Sequence, residues 1–144
     1  MSKIGKQVAD ASFSLLNRGK REVRKIIRSV AKEVIMGTPV DTGRLKNNWY
    51  ASNRKVPNQT TSATDSSGQN SMARVDAALT RLKIGQTFYM ANSLPYARVV
   101  EYGQYPNPPK NPTGKTVNGF SKQAPKGMVR RAVQRGISKL RSAN

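Results

Sequence analysis

The chain contains no cysteine and no histidine. Without cysteine there is no disulfide framework, no thiol nucleophile and no thiolate metal site. Without histidine the commonest general base and the commonest metal ligand are also missing. Carboxylates are scarce: Asp10, Glu22, Glu33, Asp41, Asp65, Asp76 and Glu101 are all of them. Each lies on a different segment from its neighbour or at least eleven residues away. An enzyme of the nuclease or lyase kind would need Asp41, Asp65, Asp76 and Glu101 to converge on a metal. Catalysis is therefore not expected, and neither is a cofactor.

Long hydrophobic runs are absent too. Nothing approaches the roughly 18 apolar residues of a membrane span, and the opening "MSKIGKQVADASF" is polar with spaced apolars rather than a secretory signal. The chain is expected to be made and kept in a cytosol, or packed into an assembly formed there, with no membrane partner. Aromatics are few, three Phe, one Trp and five Tyr, which leaves little for stacking on nucleobases.

What is abundant is positive charge: 26 Lys plus Arg against seven acids, formally +19 over 144 residues. Such a surplus repels itself in a folded state and implies an anionic partner or an acidic neighbouring subunit. The densest stretches, "RGKREVRKIIR" (18–28) and "KGMVRRAVQRGISKLR" (126–141), also carry apolar stripes. They read either as solvated faces of two amphipathic helices or as surfaces facing phosphate or acidic protein. The candidate contacts are Arg18, Lys20, Arg21, Arg24, Lys126, Arg130, Arg131 and Arg135. The length suits one domain spanning 1–144, able to bury roughly 68% of its unfolded surface.

Residues 3–36 have the period of a helix: Val23, Ile26, Ile27, Val30 and Val34 recur on one face, and Ile4, Val8, Ala11 and Leu15 continue it upstream. Gly19 is a weak point, and Gly37 with Pro39 ends the helix through a left-handed glycine cap. In "TPVDTGRLKNNWY" (38–50), Asp41 is placed to accept the amide of Gly43 or Arg44, and Gly43 supplies a backbone angle other residues avoid. Leu45 and Trp49, four apart, should be buried. Residues 49–56 suggest a strand, and the Ser/Thr-rich segment 57–72 a mobile polar loop. Alternation in "ALTRLKIGQTFYMA" (78–91) around Gly85-Gln86 predicts a β-hairpin with a type II′ turn.

"NSLPYARVVEYGQ" (92–104) predicts a short helix capped by Asn92 or Ser93, with Glu101 in its last turn. The helix dipole disfavours an anion there, so a cation nearby would offset it; Arg44 is the candidate. Residues 105–120 hold four prolines and two glycines and read as an extended polyproline-like arm. A final helix opens near Ala124-Pro125, with Val129, Ala132, Val133, Gly136 and Leu140 on one stripe and Met128 and Ile137 flanking it. The expectation is an α+β fold: N- and C-terminal helices packed on a small antiparallel sheet, with extended loops.

Two motifs in this order resemble the tail-completion, or head–tail joining, protein family of long-tailed bacteriophages. The first is Pro39-Val40-Asp41-Thr42-Gly43-Arg44-Leu45 with Trp49, following a long basic helix. The second is Tyr96-Ala97 with Glu101-Tyr102-Gly103, followed by a C-terminal helix. The resemblance runs from about residue 20 to residue 135. Phe120-Ser121 stands where the family tends to an aromatic-leucine pair, which bears on how the last helix docks. The resemblance implies a small α+β virion protein that forms a ring in the neck, between head connector and tail tube, with no catalysis.

On that reading the two motifs meet in the fold, Arg44 pairing with Glu101 and Trp49 packing on Val99 or Tyr102. The loop 57–72 and the arm (Tyr105, Pro106, Pro108, Pro109, Pro112 and Phe120) would reach neighbouring subunits or rings. Expected partners are copies of the chain in a closed ring, with a hexamer favoured over a dodecamer, the head connector or stopper, the tail terminator or tail tube, and genome DNA in the lumen. The rival reading is a free basic nucleic-acid-binding protein. It draws on the charge but finds no helix-turn-helix, zinc or RNP signature.

Overall fold

The computed structural model describes residues 3–102, 116–117, 120–121 and 127–142. In chain order its elements are α1 (Lys3–Met36), α2 (Arg44–Asn47), β1 (Trp49–Ser52), α3 (Gln69–Arg81), β2 (Tyr89–Asn92), α4 (Ala97–Glu101), β3 (Thr116–Val117), β4 (Phe120–Ser121) and α5 (Met128–Ser142). The fold class is α+β, as the sequence suggests.

α1 runs unbroken through Gly19, about 51 Å at 1.5 Å per residue. Its two halves have different surroundings. Residues 3–19 are exposed at every described position but the partly covered Gly5, with Ile4 73% and Val8 60% exposed. Val23 and Ile26, expected on the core face, are also largely in solvent. Only the last turns are embedded, where Ala31, Val34 and Ile35 enter the core. The helix does end at Met36, but not through a left-handed glycine. Gly37 is not among the positive-φ glycines. It is small because a Cβ there would lie 2.8 Å from the Glu33 carbonyl and 2.9 Å from the Arg135 guanidinium.

The predicted hairpin over 78–91 is not formed, because its first strand is the end of a helix. Met72, Val75, Leu79 and Leu82 recur at three and four, and all are buried. That stripe starts inside the stretch taken for loop, and helical burial outweighs the brief alternation of Thr80, Leu82 and Ile84. Ile84 is 61% exposed as a result. Gly85 does turn the chain, at φ 88, with the Gln86 amide donating to the Lys83 carbonyl at 3.0 Å. The returning strand also exists, but β2 pairs antiparallel with β1, Trp49 opposite Asn92 and Ser52 opposite Tyr89. β1 is shorter than expected, four residues. β3 and β4 form a separate ribbon, Val117 opposite Phe120, so the arm ends in strand rather than polyproline conformation; its residues 105–115 lie outside the described ones.

α5 lies antiparallel along the embedded half of α1. Gly37 approaches Ala132 and Arg135, and further along Gly136 approaches Val30. Ala132 is fully buried, Met128 nearly so, and Val129 and Val133 pack on the core edge. Ile137, by contrast, is 41% exposed. The crossing is tight: a Cβ on Gly136 would meet Val30 Cα at 2.7 Å. Glu33 closes the seam, accepting from Arg135 Nε at 3.3 Å and from the Lys139 ammonium. Those bonds, Lys139 first, hold the Glu33 carboxyl below its ordinary value against the opposing effect of burial.

Two outcomes follow from this seam. Gly136→Ala, normally helix-stabilising, should lower unfolding free energy by about 1–3 kcal/mol because the backbones must separate. Gly19→Ala, with nothing within 4 Å, should raise it by up to about 1 kcal/mol; urea denaturation of both variants checks the contrast. Glu33 has a folded pKa below its unfolded one, so its contribution is complete above the ordinary carboxylate range. It is lost as pH falls through the folded value. The fall in stability of the parent in that acidic window, measured by urea titration at stepped pH, should be shallower in Glu33→Gln.

Candidate functional site

The corner between α1 and β1 is built around a buried threonine. Thr38 is 2% exposed; its hydroxyl donates to the Val34 carbonyl and accepts the Trp49 indole N–H, both at 2.8 Å. Trp49 is therefore tied to the end of α1. It shares a core with Leu45 and Val100, while Tyr102, one expected neighbour, is half exposed. Val99, the other, has a side chain outside the described ones. Leu45 and Trp49 are buried, as their spacing predicts.

Gly43 takes φ 88, and a Cβ there would fall 2.6 Å from Ser66 N. Only glycine fits on both counts. Its carbonyl accepts the amides of Asn47 at 3.0 Å and Asp65 at 3.2 Å. The Arg44 amide donates to Thr42 Oγ1 at 3.3 Å. Pro39 and Val40 are half-buried links between Thr38 and this turn.

The Ser/Thr-rich segment, expected to be mobile, is held by the corner. Asn48, fully buried, accepts the Thr61 amide at 2.8 Å and donates to the Thr61 carbonyl at 3.0 Å and the Arg44 carbonyl at 2.7 Å. Asn47 donates to the Ala63 carbonyl at 3.0 Å. The two side chains serve the segment as a neighbouring strand would, satisfying the Thr61 amide and carbonyl and the Ala63 carbonyl. Asp65 then opens α3, accepting from the Ser67 amide and hydroxyl at 2.9 and 2.5 Å and from the Asn70 amide at 2.9 Å. The Ser67 hydroxyl first, and the Asn70 amide next, hold its carboxyl below the ordinary value. Ser71, also fully buried, donates to the Lys46 carbonyl at 2.7 Å.

The second motif meets the first through the core and not through an ion pair. Asn92 is a strand residue, not a helix cap, and donates to the Leu45 carbonyl at 2.8 Å. Tyr96 precedes α4, and it and Ala97 pack against the core. Glu101 does not reach Arg44. Its carboxylate accepts the Val129 amide at 2.6 Å and its carbonyl accepts the Gly127 amide at 2.8 Å, placing the anion at the N-terminus of α5. The dipole that disfavours Glu101 at the end of α4 is offset by the dipole of α5. Arg44 is exposed, with Nε donating to the Thr61 carbonyl at 3.4 Å. The Tyr102 ring lies 5.8 Å from the Arg98 guanidinium. Gly103, Tyr105, Pro106, Pro108, Pro109 and Pro112 lie outside the described residues, and Phe120 is described only as a β4 residue.

Of the expected basic contacts, Arg18 and Arg21 stand on the exposed half of α1, and Arg130 and Arg131 on the outer side of α5. Arg135 is engaged by Glu33, and Lys126 lies outside the described residues. Lys20 and Arg24 line a cleft of about 920 Å³ between α1, β1 and the end of α3. Four further cations, Arg54, Arg74, Arg81 and Lys83, join them there. These, with Thr38, Asn47, Asn48 and Ser71, are what linear reasoning missed. A run of polar residues too small to be surface armour, "KNN" before a tryptophan, was the available signal for the buried asparagines.

Asp65, Asp76 and Glu101 do not converge: they cap α3, pair with Arg28 at 2.8 Å, and cap α5 respectively. Among the described residues no three His, Cys, Asp or Glu side chains gather to hold a metal, and no helix there is long and apolar enough to cross a membrane.

Comparison with known proteins places this geometry. A family model described as "Bacteriophage HK97-gp10, putative tail-component" matches residues 2–103, from the start of α1 to just past α4. No curated protein and no solved structure matches the chain.

The reassignment of Glu101 has a measurable consequence. Glu101→Ala should cost about 0.5–2 kcal/mol, the usual cost of a lost helix cap, whereas Arg44→Glu should stay within about 0.5 kcal/mol of the parent. The swap Arg44→Glu with Glu101→Arg should be no more stable than Glu101→Arg alone. Recovery in the double variant, by urea denaturation, would restore the ion pair.

Proposed function

The chain belongs to the HK97-gp10-like family of bacteriophage tail components, and from that premise we propose that it forms a ring in the neck of the virion, completing the tail and joining it to the head connector. The family makes it a structural tail protein located in the virion. The role is contact between subunits, not turnover of a substrate.

The observation that carries the ring is the exposed half of α1. An isolated helical stretch is marginal in water, and most helical stability comes from packing an apolar face. Here Ile4, Val8, Val23 and Ile26 form such a face in solvent. A second copy is the natural cover. A helix projecting from one body onto a different surface of the next gives a heterologous contact, which closes into a ring when the rotation allows. A hexamer is favoured over a dodecamer. With +19 on each copy, apolar contact must overcome mutual repulsion, and anionic neighbours would relieve it. The head connector or stopper on one side and the tail terminator or tube on the other are the proposed partners.

Light scattering and averaged electron micrographs of the purified protein, alone and with its particle components, test this reading. The parent should give a ring with an open lumen. Ile4→Glu with Val8→Glu should give a folded monomer that keeps its cooperative unfolding and loses helical circular dichroism only to the extent that the uncovered start of α1 frays. A parent that stays monomeric under both conditions and is absent from purified particles would overturn it.

A further inference from the structure

The cleft between α1, β1 and α3 differs from the rest of the surface in chemistry. Its lining includes Lys20, Arg24, Arg54, Arg74, Arg81 and Lys83 and no carboxylate. Two of these cations are fixed in place. Arg24 donates to the carbonyls of Leu82 at 3.2 Å and Thr80 at 3.5 Å, at the C-terminal end of α3. Arg74 donates to the carbonyls of Asn47 at 2.5 Å and Trp49 at 3.1 Å, with its guanidinium 4.1 Å from the Tyr50 ring centroid. The other four, Lys20, Arg54, Arg81 and Lys83, enter no ion pair among the described residues. Arg24 Nε is buried without an acceptor. Positive charge is thus concentrated where no carboxylate among the described residues is seen to neutralise it.

We infer that this cleft binds the phosphate backbone of duplex DNA without reading its sequence. A second copy of the chain is a poor occupant. It has seven acids, of which Glu33, Asp76 and Glu101 are already held by Lys139, Arg28 and the Val129 amide. An acidic protein segment fits less well than duplex DNA, whose backbone repeats a negative charge about every 1.7 Å of axis along the whole length of the cleft. Tyr50 is the cleft's one aromatic and Arg74 stacks on it, while Ala78 and Leu82 are buried in the core. What the cleft offers is cationic donors, which suits backbone contacts alone. The stacked tyrosine also leaves no free aromatic platform for a base. Arg21, exposed on α1 one turn before Arg24, extends the positive surface beside the cleft.

The test is fluorescence anisotropy of the full chain with a short random-sequence duplex, titrated over salt. Compared are the cleft variant Arg54→Gln/Arg81→Gln/Lys83→Gln and a control of equal net charge away from the cleft, Lys32→Gln/Arg98→Gln/Arg141→Gln, three exposed residues. The cleft variant should bind about tenfold or more weakly, and its log–log salt slope should shrink by about 2.7, three phosphate contacts at about 0.9 each. The control should keep the parent slope. Equal losses in both variants would reduce the effect to bulk charge and overturn the site. So would a parent that does not bind duplex, or one whose duplex is displaced by poly-glutamate at equal charge concentration. Light scattering on the same samples reports subunit association separately, so failure here is distinguishable from failure of the ring.

Discussion

One hydroxyl joins the helical and sheet parts of this fold. Thr38 donates to the last turn of α1 and accepts from the indole of the residue that begins β1. Both ends are buried, where an unmade hydrogen bond costs about 1–3 kcal/mol. Asn47, Asn48 and Ser71, each 1% exposed or less, extend the arrangement to the following segment and to α3. A buried polar network is unfavourable if partly satisfied and specific if complete. Each of these side chains is engaged, so the corner fixes the path of the chain across more than thirty residues that have little apolar content.

The carboxylates illustrate the same economy of parts. In a chain with so few, Glu33 joins α1 to α5, Asp76 joins α3 to α1, Asp65 opens α3 and Glu101 opens α5. Each of these four ties two segments or serves a helix end. The surplus cations are consequently uncompensated within the molecule. They gather in the cleft and along the exposed part of α1, so the molecule's electrostatics point outward. That is the behaviour expected of a component whose folded state is completed by anionic and apolar neighbours.

The projecting half of α1 and the embedded half are one helix with two environments. Near Val30 the helix is held by the close approach of Gly136 to its backbone. Towards Lys3 the described apolar residues Ile4 and Val8 lie largely in solvent. A rigid extension from a fixed base presents its stripe at a defined place, which is what a repeating subunit contact needs.

Much of this was legible in the linear pattern, and the failures have physical causes. α1 and α5 could be read because their apolar periods are long. Burial of Leu45 and Trp49 and the special backbone of Gly43 followed from spacing and residue type alone. α3 was hidden because its first turn is polar and preceded by serines, and three alternating residues at its end imitated a strand. Arg44 and Glu101 looked like partners because charges of opposite sign were needed; the real offset is the amide end of a helix that starts 27 residues later in the chain. The amino-acid order by itself determined the charge, the lack of reactive side chains and the long helices, since these depend on composition and local period. Which side chain holds the polar segment, which strand β2 joins and which cations share a cleft were decided only in three dimensions. Those contacts link residues far apart in sequence, and no local preference distinguishes them from their alternatives.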